Sequence, residues 1–236
     1  CLWAASTRRL LYAAALFPLG LALLLSLSRG ALIFGVPAAF LVIALLAGRH
    51  WRRLAFALLI LGAIAIIPLL RTPRFAGMFD LMRGTTGFRL ALWHSAVEMI
   101  QDHPVLGVGP DNFLYAYRTR YVLPTAWEEF NLSHPHNVVI DFASRLGLLG
   151  LGVFLWHQGR FWRRAWSLRN LTDPGYRALV LGLIGSMVDF LAHGLVDASY
   201  FIIDLALVYF LTTGLVDWLY DVESRADRDV VASAPG

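Results

Sequence analysis

Residues 10–28 read LLYAAALFPLGLALLLSLS, a run without a single charged side chain. A bilayer core about 30 Å thick asks for about 20 such residues in one helix. The same reading recurs along the chain. Residues 31–47, 54–70, 138–156, 178–196 and 200–219 are further apolar stretches of membrane-helix character. The second and third are short and fit a span with little tilt or one extended by its flanks. Pro18, Pro37 and Pro68 lie inside or at the ends of such runs. Membrane helices tolerate proline where a neighbour satisfies the freed backbone. The sequence therefore predicts an all-α protein, a polytopic transmembrane helical bundle of about six spans with one long, partly helical loop.

Composition agrees. Charged residues make up 15% of the 236-residue chain, against about 25% in an ordinary soluble domain. The net charge of +4 comes from arginine alone, since lysine is absent. Schiff-base chemistry on this chain is thereby excluded. The arginines sit in short segments between apolar runs, so nucleic acid is not an expected partner. The one cysteine is Cys1, which rules out an intrachain disulfide and a thiolate metal site. No soluble segment follows Cys1, as it would after signal cleavage. We read Cys1 as an arbitrary start within a longer protein, with a lipidated Cys1 as the alternative.

Arginine placement orients the bundle. Arg8 and Arg9, then Arg49, Arg52 and Arg53, then Arg160, Arg163, Arg164 and Arg169, then Arg225 and Arg228 all fall on one side if every run crosses once. That side is expected to be cytoplasmic. The expected layout is then three membrane helices in residues 1–70, an outer loop in 71–137, three more helices in 138–220, and a disordered cytoplasmic tail in 221–236. Within the loop, residues 86–101 read as an amphipathic helix with Leu90, Trp93, Val97 and Ile100 at helical spacing. A second short helix is expected over 111–121, with Asp111 as its N-cap.

Three groups of residues are candidates for chemistry. Ser133-His134-Pro135-His136-Asn137 precedes the fourth run and offers two histidines as general base or metal ligands. Nearby carboxylates are scattered in sequence, so no metal site is expected; the alternative is that His136 and Asn137 simply cap the helix. Outer-side arginines form the second group, since the guanidinium fork matches phosphate oxygens. Arg29 sits in a tight turn, and Arg83 and Arg89 lie in the loop. Headgroup contact accounts for Arg71, Arg74, Arg118 and Arg120. The third group is Asp189, His193 and Asp197, four residues apart on the fifth run, with an interhelical contact to Asp204 as the structural alternative. Asp141 and Arg145 read as an i,i+4 ion pair. Gly107-Val108-Gly109 could present amides to an anion.

Residues 89–152 resemble the signature region of the O-antigen ligase and Wzy-type polymerase family. The pieces occur in order: Arg89-Leu90-Ala91-Leu92-Trp93, then residues 100–113 (IQDHPVLGVGPDNF), then His134-Pro135-His136-Asn137, then Gly147-Leu148-Leu149-Gly150. Upstream, Ser28-Arg29-Gly30-Ala31 is similar to a further family element. Arg145 stands where the family commonly has an acid. The resemblance implies the C-terminal half of a bacterial inner-membrane enzyme with its active face periplasmic. Its substrate would be an undecaprenyl-diphosphate-linked glycan; its acceptor would be lipid A core, a polysaccharide or a protein. It implies His136 as catalytic histidine, with Arg29 and Arg89 on the diphosphate. His134, Asn137, Arg83, Asp197 and His193 are expected around the substrate, and no cofactor. We expect a metal-independent, inverting transfer. Wzy-type polymerase and protein O-oligosaccharyltransferase are alternatives of the same class; a lipid-carrier transporter or a non-catalytic membrane scaffold are alternatives of another.

Overall fold

A computed structural model of the chain describes residues 9–26, 28–70, 84–197 and 200–233. Among the described residues the regular structure is all helical, with no strand. The elements are α1 (Arg9–Ser26), a π turn (Ala31–Gly35) leading into α2 (Val36–Ala47), α3 (Arg49–Leu70), α4 (Gly84–Asp102), α5 (Phe113–Ala116), α6 (Val138–Leu168), α7 (Pro174–Gly194) and α8 (Ile203–Ser233). A π turn (Tyr117–Tyr121) and a 3-10 turn (Pro124–Glu129) follow α5. Among the described residues, three helices are long and apolar enough to cross a membrane: Val138–Leu168, Pro174–Gly194 and Ile203–Ala226. Leu10–Ser26 and Ala31–Ala47 are apolar but shorter.

The chain forms two compact units. The first gathers Cys1–Arg52, His157–Ala192 and Ile203–Gly236. In it, Gly185 of α7 lies so close to α2 that an added Cβ would meet Ile43 Cδ1 at 2.3 Å. Small residues permit such approach where no hydrophobic drive exists between helices in lipid. Arg160 and Arg164, one turn apart, share Asp217 of α8 at 2.8 and 2.7 Å. These arginines were expected in a turn after residue 156. They lie on α6 instead, because that shared carboxylate lets the helix continue past its apolar run. Likewise α8 runs on to Ser233, where a disordered tail was expected from residue 221. Large apolar side chains face outward, Leu10 at 86% and Ile203 at 87% exposure, as a lipid solvent allows.

The second unit comprises Arg53–Trp156 and His193–Ile202. Its core packs Leu92, Ala96 and Met99 of α4 against Phe113, Tyr117 and Tyr121. The inward stripe of α4 therefore differs from the expected one: Leu90 and Val97 are each 43% exposed, while Ser95 and Ala96 are fully buried. The small pair lets the aromatic layer come close, and α4 turns that face inward. The second loop helix is also shorter than expected. Asn112, not Asp111, is the N-cap of α5, and the chain then widens into the π turn.

Inside this unit α6 is broken. Gly147 has φ 67° and ψ −171°, a conformation open essentially to glycine alone. Residues 104–109 dock onto the break. Val108 and Gly109 N–H donate to the Ser144 and Arg145 carbonyls at 2.9 Å, and Leu148 and Leu149 N–H donate to the Pro104 and Val105 carbonyls at 2.8 and 3.3 Å. Gly107 answers Gly147, itself at φ 67°. An added Cβ would meet Arg145 backbone at 2.4 Å from Gly107 and Val105 O at 2.1 Å from Gly147. The Val108 and Gly109 amides are thus spent on the broken helix and the Gly107 amide on the His103 carbonyl at 3.0 Å, so the turn does not offer them to an anion.

Gly147→Ala should cost about 1–3 kcal/mol from backbone strain alone, with the clash adding to it. A fall in the thermal midpoint of the detergent-solubilised protein checks this; an unchanged midpoint would show that α6 does not need the break.

Candidate functional site

Residues 133–137 carry little regular structure, and their path is set by side chains from elsewhere in the same unit. Arg145 pairs with Asp141 through Nε at 2.6 Å, the i,i+4 pair read from the sequence. Its other nitrogens donate to the Pro110 and Ser133 carbonyls. The guanidinium also lies 5.5 Å from the Phe113 ring and 4.9 Å from Phe201. Trp93 on α4 donates its indole N–H to the Pro135 carbonyl at 2.7 Å. Asn137 Oδ1 accepts from the Val139 and Ile140 N–H groups at 3.0 and 3.1 Å, capping α6. Its amide nitrogen donates to the Leu195 carbonyl at 3.1 Å. One asparagine therefore ties the start of α6 to the turn that follows α7.

That turn delivers Asp197. The expected fifth-run stripe of Asp189, His193 and Asp197 is interrupted, because α7 ends at Gly194 and Val196 N–H folds back to the His193 carbonyl at 3.0 Å. Asp197 reaches His136 instead, with Oδ1 2.9 Å from Nδ1. His193 Nε2 lies 3.6 Å from the other carboxylate oxygen. Asp189 belongs to the first unit.

His136 has φ 52°, the left-handed region that few residues other than glycine occupy. This backbone turns its ring toward Asp197 and beside His134, whose ring centroid is 4.3 Å away, edge to face. His134 accepts from or donates to the Ser133 hydroxyl through Nδ1 at 3.1 Å. Burial, and after it the neighbouring His136, Arg145 and Arg89, lower the His134 pKa to about 4 against the opposing pull of Asp197. His134 is accordingly neutral near pH 7, and Arg89 is close enough for its charge to be felt there.

The structure thus brings His134, His136, Asn137, Asp197 and His193 together, with Arg89 beside them on α4. Arg29 lies in the first unit, in the helical turn opened by Ser28, whose hydroxyl accepts from Ala31 N–H at 3.3 Å. Arg83 lies outside the described residues. Sequence reasoning missed the positioning parts of Trp93 and Arg145. Trp93 read as an apolar stripe residue, and Arg145 as half of an ion pair; nothing local announces a bond to a carbonyl 42 or 35 positions away.

An imidazole held by a carboxylate at one nitrogen, with cationic and neutral donors around it, is equipped to move a proton to or from a polar substrate. A profile of the family described as O-antigen ligase matches residues 14–155. No curated protein matches the chain.

The His134 shift has a consequence for acid stability. Between about 4 in the folded chain and about 6.5 in the unfolded one, only the unfolded chain binds this proton. His134 therefore destabilises the fold as pH falls through 6.5, and the loss is complete below 4. Acidification should cost the His134→Gln variant less stability than the parent, measured as the shift in thermal midpoint from pH 7.5 to about 5; equal losses would contradict a neutral His134.

Proposed function

The chain belongs to the O-antigen ligase family, and on that premise we propose that it is a membrane glycosyltransferase. It moves a glycan from undecaprenyl diphosphate to an acceptor hydroxyl at the periplasmic face of the bacterial inner membrane. The family consists of membrane enzymes of polysaccharide assembly. The observation that carries the reading for this chain is the His136–Asp197 hydrogen bond of 2.9 Å, held in a left-handed backbone.

In this mechanism Asp197 accepts a hydrogen bond from His136 Nδ1–H and so leaves Nε2 as the basic nitrogen. Nε2 takes the proton of the acceptor hydroxyl as its oxygen forms a bond to the anomeric carbon. The bond from that carbon to the diphosphate oxygen breaks, and the electron pair leaves with the diphosphate. Attack from the opposite face inverts the anomeric configuration. Arg89 stabilises the charge gathering on the leaving group, as a fixed cation can without metal, a part that the resemblance also implies for Arg29. The Arg29 role rests on the Ser28-Arg29-Gly30-Ala31 resemblance. His193 supports Asp197, Asn137 holds its turn, and His134 offers a neutral polar edge to the sugar. Ligation to lipid A core, polymerisation and protein glycosylation share this chemistry and differ in acceptor; ligation is the reading we favour.

We further propose that α1, the helix of residues 31–47, and α3 cross the membrane together with α6, α7 and α8. Six crossings place residues 71–137 and the turn at Asp197 on the same outer face. With Cys1 replaced by serine, single cysteines in 84–137 should react with a membrane-impermeant maleimide in intact spheroplasts, and cysteines at 160–169 should not. The reverse pattern would overturn the orientation.

His136→Ala should lower glycan transfer by the full-length protein about 10²–10⁴-fold. Arg89→Ala should lower it about 10²–10³-fold. Both proteins should still insert and elute as the parent does, and EDTA should leave the parent's turnover unchanged. Intact transfer in both variants would sink the proposal in favour of a transporter or scaffold.

A further inference from the structure

The carboxylates near His134 and His136 are scattered in sequence, but the tertiary fold supplies one from a distant segment. Donor atoms of His134, His136 and Asp197 all lie within 4.8 Å of one another. Two imidazoles and a carboxylate are the donor set of borderline divalent ions, Zn²⁺ foremost. Such an ion, bonded at about 2.0–2.2 Å to each, needs its ligands roughly 3–3.5 Å apart. The His136–Asp197 edge is 2.9 Å, and rotation of the His134 side chain brings in the third.

The surroundings suit a metal as well. The Ser133 hydroxyl at 3.1 Å engages His134 Nδ1 and leaves Nε2 as the ligand nitrogen. His193 Nε2 stands 3.6 Å from the second Asp197 oxygen, too far for a hydrogen bond, so the outer partner is the Ser133 hydroxyl. Outer partners of this kind orient ligands and raise affinity. Three protein ligands would leave one position of a tetrahedral ion for water.

We propose that His134, His136 and Asp197 form a Zn²⁺-type site whose occupation silences the transferase. An ion drawing on His136 and Asp197 displaces the proton that the two share and occupies a lone pair, so imidazole and carboxylate no longer act as base and orienter. Ion and acceptor hydroxyl then compete for one group. The inhibitory role rests on the transferase reading above; the binding site does not.

The test uses full-length protein, purified in detergent and stripped with chelator. Zn²⁺ is titrated against a chromophoric competitor, and Co²⁺ is added separately to report geometry by its visible absorption. The expected result is one ion per chain and tetrahedral Co²⁺ bands. His134→Ala and Asp197→Asn should each weaken Zn²⁺ binding at least about tenfold, with unchanged elution and helical circular dichroism. Transfer by the parent should fall at least about tenfold as the site fills, and return with EDTA. Zn²⁺ bound equally by both variants, or absent Co²⁺ bands, overturns the site. Stoichiometric binding with unchanged transfer overturns the inhibitory role, and stimulation by Zn²⁺ overturns both that role and the metal-free mechanism. If the stripped protein transfers nothing, the transferase reading and the inhibition fall together, while the Co²⁺ spectrum still decides the site.

Discussion

A helix interrupted inside the fold must find new partners for the amides and carbonyls it frees, because buried backbone groups left unpaired are costly. At Gly147 the partners come from residues 104–109. The exchange is reciprocal: two N–H groups of the loop go to carbonyls before the break, and two N–H groups after the break go to carbonyls of the loop. Both chains must come within backbone contact, and both use a glycine at φ 67° to do so. The glycine-containing elements around 107 and 147, far apart in sequence, are two halves of one joint.

The joint has a consequence for the site. By fixing residues 104–109 on α6 it also fixes the Pro110 carbonyl, and Arg145 spans from there to the Ser133 carbonyl while paired with Asp141. A buried guanidinium with its nitrogens engaged is costly to bring in and costly to disturb. Its role here is register: it sets where residues 133–137 begin. Trp93 and Asn137 set the middle and the end. The strained backbone at His136 persists because its neighbours on either side are held. Arg145, read from the sequence only as half of an ion pair, thus has a definite use in this chain.

The site's chemistry follows from what meets there. Asp197 and His136 share a hydrogen bond of 2.9 Å, and burial above all keeps His134 neutral near pH 7. The same donor set that suits a base also suits a divalent ion.

What the sequence determined by itself is whatever is encoded at short range. Apolar runs identified a helical membrane protein because helix rise and bilayer thickness are fixed lengths. The Asp141–Arg145 pair was legible because i,i+4 neighbours meet on any helix. The His-Pro-His-Asn element stood out by composition. Tertiary structure decided the rest. Which stripe of α4 turns inward depended on the aromatic layer it packs against, so Leu92, Ala96 and Met99 are buried where Leu90 and Val97 were expected. The use of the glycine-turn amides depended on a helix break that a single residue, Gly147, permits. Asp197 and His136 are 61 positions apart. Nothing in the spacing of either run announces their meeting, because it is set by where α7 ends and how its following turn is tied down by Asn137.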